Sequence, residues 1–136
     1  FFQCGTVIVK GIGAVASIDM NGLKTLNDSQ GHQAGDIALA KIGKCIQKFS
    51  GQKIQAYRIG GDEFVLLLFD DDEEKIKHAE TQIKENVASN GYSVSIGYAV
   101  KNEQDDLDEV IKESDRRMYE DKANYYNTNG IDRRRR

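Results

Sequence analysis

The sequence predicts a single α+β domain, a mostly antiparallel sheet with helices packed on it, and three features carry that prediction. Apolar residues change from a period of two to a helical period and back along the chain. Two strand-like runs flank Gly60-Gly61-Asp62, so a hairpin interrupts strict strand–helix alternation. The chain has 136 residues and no proline, which is enough material for one core and leaves no X-Pro linker to divide it.

The first thirteen residues are the least patterned: Val7-Ile8-Val9 has strand character, but Gly5, Gly11 and Gly13 interrupt it. Ala14 to Met20 is a short apolar run ending in Asp19, the pattern of a buried central strand. Leu23 and Leu26, three apart, mark a helix from Leu23 to Ser29, followed by a loop over Gln30-Gly31-His32-Gln33. A second helix is predicted from Gly35. Asp36 lies near its start, and Ile37, Ala38, Ala40, Lys41, Ile42, Cys45, Ile46 and Phe49 recur at helical spacing until Ser50-Gly51-Gln52 stops it.

Lys53 to Ile59 and Glu63 to Phe69 are the hairpin strands. Asp70-Asp71-Asp72-Glu73 puts acids at the positive end of a helix reaching about Ala88, with Ile76, Ala79, Ile83 and Val87 on its buried face. Tyr92 to Val100 alternates: Val94, Ile96, Tyr98 and Val100 face one way, Ser93, Ser95, Gly97 and Ala99 the other. A last helix is predicted over Asp105 to Lys122, with Leu107, Val110, Ile111, Ser114 and Met118 inward, and Asn124 to Arg136 is read as loose. The order β-α-α-β-β-α-β-α is of the ferredoxin-like kind.

Composition narrows the function. With 39% hydrophobic and 30% charged residues the chain is neither a disordered tail nor a membrane protein. Its longest apolar run, Phe64 to Phe69, is far too short to cross a bilayer, and Phe1 is not followed by a basic signal-peptide start. Two cysteines, Cys4 and Cys45, make no disulfide framework, so a reducing, cytoplasmic setting is expected; an anchor elsewhere in a longer protein would be compatible with it. Of the net charge of −3, Arg133 to Arg136 contribute +4, leaving −7 on the rest. So acidic a body lacks the basic face that duplex nucleic acid requires, and the arginine run reads as a solvated end.

Candidate chemistry gathers where strands end. Asp19 closes the first strand, and Asp62 and Glu63 occupy the hairpin turn and its exit. If those strands are neighbours, Asp19 and Asp62 meet at one rim, where their repulsion would raise each other's pKa. A divalent cation would relieve it, and hard carboxylate oxygens suit Mg²⁺; ordinary turn chemistry at Gly-Gly-Asp is the alternative. Met20-Asn21-Gly22-Leu23 leads from strand into a helix N-terminus, where free N–H groups attract phosphate. No Walker loop is present. Asn27 and Asp36 carry groups able to read a purine edge, the carboxylate matching guanine's paired N–H donors, or they serve as plain helix-end residues.

Asp19 to Asp28 (DMNGLKTLND), Gly31-His32, Gly35-Asp36 and Arg58-Ile59-Gly60-Gly61-Asp62-Glu63-Phe64 together resemble the diguanylate cyclase (GGDEF) family. The strand Ser93 to Gly97 and the helix Ser114 to Lys122 add to the likeness, which runs from Ala14 to about Asn127. It implies a GGDEF domain over residues 14–127 with a cyclase-palm sheet, preceded by a short segment (1–13) and followed by a tail (128–136). It also implies the joining of two GTP molecules into cyclic di-GMP with release of pyrophosphate. Each domain would hold one GTP, so a second GGDEF domain is the implied catalytic partner, and a sensory domain the implied neighbour in a longer protein. By this resemblance Asp19, the Met20 carbonyl, Asp62 and Glu63 hold two Mg²⁺ or Mn²⁺ ions per GTP, and Asp62 or Glu63 is the catalytic proton acceptor. Asn27 and Asp36 would read guanine. His32, Gly22 and Leu23 would lie along the substrate, and Lys122 would reach its terminal phosphates.

Four departures from the family pattern stand out. Tyr126 takes the place of a phosphate-gripping arginine, a loss of about 1.5–3 kcal/mol for a charged hydrogen bond. The Asp-x-Leu-Thr-Gly-Leu lead-in is absent before Ala14. The Arg-x-x-Asp feedback motif reads Gly51-Gln52-Lys53-Ile54, so product inhibition there is expected to be lost. Asn21 and Leu23 replace the commoner Asp and Phe, a benign change. The first two leave a second reading open, a GTP-binding regulatory domain with weak or no turnover.

Overall fold

The computed structural model describes residues 11–51, 53–69 and 72–128. Val7-Ile8-Val9, Cys4, Asp70, Asp71 and the Arg133 to Arg136 run lie outside them. The elements in order are β1 (Ala14–Met20), α1 (Leu23–Gln30), α2 (His32–Gln47), β2 (Ile54–Arg58), β3 (Glu63–Leu68), α3 (Glu73–Ser89), β4 (Val94–Val100) and α4 (Leu107–Thr128). This is the predicted α+β order. The four strands lie β2-β3-β1-β4, every pair antiparallel.

β1 is central, and all seven of its residues are buried because both faces of the sheet are covered. On one face Ala14, Ala16, Ile18 and Met20 join Phe64, Leu66 and Leu68 of β3 and Val94 and Ile96 of β4. α2 and α3 close this face with Ala38, Ile42, Ile46, Ile76, Ile83 and Val87. Burying one such aliphatic side chain contributes about 1.5–3 kcal/mol, so this layer supplies most of the folding drive. Asp72 caps α3 with its carboxylate, which accepts from Glu74 N at 3.0 Å.

On the other face α4 is the one helix, among the described residues, that lies across the sheet. It reaches very close to β4, because a Cβ on Gly97 would sit 2.1 Å from Met118 N and 2.5 Å from Ser114 O. Only glycine admits that approach.

Three sequence expectations need correction. α2 begins at His32, where a loop was expected, because Gly31 ends α1 and lets the next helix start at once. Ile37 does not join the core: it is 55% exposed, since the buried stripe of α2 runs through Ala38, Leu39, Ile42, Cys45 and Ile46. α4 does not stop near Lys122 but continues to Thr128, because its buried stripe of Val110, Ser114, Met118, Lys122 and Tyr126 repeats every fourth residue to that end.

Candidate active site at the sheet rim

The antiparallel register sets Asp19 directly opposite Glu63, so both carboxylates emerge on the face that α4 covers. Asp62 is adjacent, and its carbonyl accepts from Met20 N at 3.3 Å. The pairing of β1 with β3 thus brings together the three acids that the sequence singled out. Like charges opposed across a ladder repel, and the fold answers with a lysine. Lys122, fully buried, lies with Nζ 3.1 Å from Asp19 Oδ2 and donates to the Met20 carbonyl at 2.7 Å.

Compensation is incomplete. Burial pushes the Asp19 carboxyl up to about 6; Lys122 opposes the rise and Asp62 adds to it. Glu63 is also raised, first by burial and then by the charges of Asp115 and Asp62. The polar row continues down β1. Ser17 donates to Asp115 Oδ1 at 2.6 Å and shares a 2.7 Å hydrogen bond with Ser114 Oγ.

Asp19 Oδ1 is buried with no hydrogen-bond partner among the described residues. Together with the Met20 carbonyl and the neighbouring Asp62 it forms a set of hard oxygen donors, which suits Mg²⁺ or Mn²⁺. Among the described residues no three His, Cys, Asp or Glu side chains enclose an ion by themselves. Mg²⁺ commonly uses one or two carboxylates and completes its shell with substrate phosphates and water. The donors present therefore fit the ion the resemblance implies.

The turn after β1 is held on two sides. Asn21 donates to Ser93 Oγ at 3.0 Å and accepts from Ser95 Oγ at 2.7 Å, tying the turn to β4. Gly22, which precedes α1, donates its N–H to the Tyr126 hydroxyl at 3.0 Å. Leu23 packs against the core and begins α1.

The other expected substrate residues lie on α1 and α2. Asn27 faces Gly35 across the helix pair so closely that a Cβ there would stand 1.9 Å from Asn27 Oδ1, an oxygen itself buried and unpartnered. Asp36, next to Gly35, is exposed, and His32 opens α2 at the surface one turn earlier. Asn27 is thus set against Gly35, the chain neighbour of Asp36, where α1 and α2 meet.

A family model described as diguanylate cyclase, GGDEF domain, matches residues 10–128. The chain belongs to the GGDEF family. It is 34% identical over 113 residues to the probable diguanylate cyclase DgcJ of Escherichia coli, covering 79% of this chain and 23% of that protein. It is 34% identical over 119 residues to the diguanylate cyclase DgcN of the same organism, covering 80% and 29%. This GGDEF chain therefore spans about a quarter of the length of those relatives. Among solved structures, the GGDEF domain of DgcB from Caulobacter crescentus, in complex with c-di-GMP, superposes with a TM-score of 0.78 at 22% identity, covering 89% of this chain and 78% of that one. The active GGEEF domain of a diguanylate cyclase from Vibrio cholerae gives 0.76 at 25%, covering 90% and 83%. These neighbours share the cyclase-palm fold.

Three site features were not foreseen: the Tyr126 hydroxyl on Gly22, the Ser17–Ser114–Asp115 bonds, and the complete burial of Lys122. The signal was the every-fourth-residue stripe of the last helix, which continues through Lys122 and Tyr126 even though neither is a hydrophobic aliphatic.

Proposed function

We propose that this GGDEF domain condenses two GTP molecules into cyclic di-GMP with release of pyrophosphate, each domain presenting one GTP to a second copy. The observation that carries the reading is the convergence of Asp19, the Met20 carbonyl, Asp62 and Glu63 at one rim, beside the N-terminus of α1. In this reading residues 14–127 form the catalytic domain and 128–136 a tail. Asp19, the Met20 carbonyl, Asp62 and Glu63 would hold two divalent ions, which would supply positive charge against the phosphates.

The chain's own groups do the rest. The N–H groups at Gly22 and Leu23 receive phosphate oxygens at the start of α1. Asp36 accepts from the paired N–H donors of guanine, and the Asn27 amide, seated against Gly35, supplies the neighbouring contact. Asp62 or Glu63 accepts the proton of the attacking 3′-hydroxyl, a role that the upward shift of Glu63 suits. His32 lies along the substrate and Lys122 balances charge at the phosphates. With Gly51-Gln52-Lys53-Ile54 in place of the feedback motif, the product does not inhibit through that site. No helix among the described residues is long and apolar enough to cross a membrane; a cytoplasmic setting beside a sensory domain completes the reading.

Incubation of the protein with GTP and Mg²⁺ across a concentration series, read by mass spectrometry, tests this. Cyclic di-GMP whose specific rate rises with protein concentration is expected. No product from a demonstrably dimeric sample would overturn it. The second reading, a GTP-binding regulatory domain, is favoured by Tyr126 in the arginine position; tight GTP binding by calorimetry without turnover would select it.

A further inference from the structure

We propose that the phosphate turn is self-capped, with the Tyr126 hydroxyl on Gly22 N–H and the Lys122 ammonium on Asp19 and Met20 standing where a phosphate oxygen and its cation bind. Nucleotide then binds by exchange, displacing the phenol from the turn. The inference rests on the nucleotide-binding reading above and deepens it.

Lys122 and Tyr126 stand four residues apart on α4, so they leave the same helix face. Between them they engage the last two residues of β1 and one residue of the turn that follows. Lys122 Nζ takes Asp19 Oδ2 at 3.1 Å and the Met20 carbonyl at 2.7 Å, while Tyr126 Oη takes Gly22 N at 3.0 Å. Lys122 is fully buried and Tyr126 is 3% exposed, so neither reaches the turn by chance contact at the surface. A phenol oxygen accepts from a helix-start N–H as a phosphate oxygen does, but without its charge. An ammonium beside a carboxylate and a carbonyl supplies the positive charge that a metal ion would bring. One oxygen remains over: Asp19 Oδ1, on the carboxylate whose Oδ2 Lys122 takes, is buried and has no hydrogen-bond partner among the described residues.

Self-capping gives stability and ligand affinity opposite signs. Breaking one neutral hydrogen bond on binding lowers affinity about fivefold. Tyr126→Phe removes that bond and keeps the ring that meets Tyr125 edge-on. The variant is expected to melt at a lower temperature yet bind Mg-GTP about fivefold more tightly, with guanosine affinity unchanged. A purely structural tyrosine would lower both stability and affinity. Lys122→Met, titrated with Mn²⁺ alone and followed by electron paramagnetic resonance, is expected to bind the ion about five- to tenfold more tightly than the parent.

A measurement on the unaltered protein guards against misfolding of either variant. On saturation with Mg-GTP, the Gly22 amide and the Tyr126 ring resonances are expected to shift together. A Tyr126 ring unmoved by saturating nucleotide, or equal or weaker GTP binding by a folded Tyr126→Phe, overturns the self-cap while leaving the cyclase reading in place. If the unaltered protein and both variants bind neither GTP nor Mn²⁺, both readings fall.

Discussion

The two faces of the sheet are made from alternate residues of the same strands, yet they differ in kind. Ala14, Ala16, Ile18 and Met20 of β1 point into a dry layer closed by α2 and α3. Val15, Ser17 and Asp19, one residue out of phase, point toward α4, and only Val15 joins an apolar cluster there. Among the described residues α4 is the helix over that face: its first half brings Ser114 and Asp115 to Ser17, and its end brings Lys122 and Tyr126 to the strand rim. The difference teaches a division of labour. The first face holds the domain together, and its stability lets the second carry buried charge and opposed carboxylates that contribute little to folding.

The largest test of that division is Asp62→Ala. Cyclic di-GMP formation is expected to drop at least about 100-fold, as for loss of a proton acceptor or charge-holding group. The melting temperature should hold or rise, because Asp62 adds to the strain on Asp19. A drop in stability as large as the drop in rate would erase the distinction between the faces. On the dry side, Ile83→Ala removes a fully buried side chain. It is expected to cost about 2–4 kcal/mol in urea unfolding.

Gly97→Ala probes the seam between β4 and α4. The new methyl meets helix backbone at 2.1 Å, so α4 must shift, at a cost of about 1–3 kcal/mol. The shift should carry Lys122 and Tyr126 off the turn, visible as altered amide resonances at Gly22.

The pH dependence follows from Asp19. Its folded-state pKa, raised from 3.8 to about 6, means that the folded state binds the proton more tightly than the unfolded state does. The carboxyl therefore favours folding while protonated, and this contribution is lost as pH rises from about 4 to 6 and stays lost above. Thermal unfolding without divalent ions should show stability falling across that window, and Asp19→Asn should flatten the fall. Mg²⁺ should restore stability above pH 6, since a ligand of the folded state stabilises it. The smallest effect is expected at Lys24→Ala, whose partner Asp28 is well exposed. A change under about 0.5 kcal/mol in urea unfolding is the expectation.

The element order, the hairpin at Gly60-Gly61 and the inward residues of α3 were legible because each rests on local rules: period, turn chemistry and capping. The acids of the rim were legible as types, since Asp19, Asp62 and Glu63 all stand at strand ends. What misled were places where a local rule meets a tertiary demand. His32 reads as loop beside Gly31, yet it starts α2; Ile37 shares the helical spacing of α2's apolar residues, yet the packing of α2 turns it outward. Lys122 reads as the end of the last helix, reaching for phosphate, and Tyr126 as part of a loose tail, because no pattern of hydropathy predicts a buried lysine.

By itself the chain determined the repertoire: which stretches become strands and helices, which of their faces are apolar, and which acids are offered at the rim. Only the tertiary structure decided the pairing. The register of β1 on β3 chose Glu63 as the neighbour of Asp19, and the close approach of α4 over Gly97 chose Lys122 as its counter-ion and Tyr126 as the cap of Gly22. The reason is range. Period and turn chemistry act over a few residues, whereas the Lys122–Met20 bond joins groups 102 residues apart that meet only once the sheet has formed.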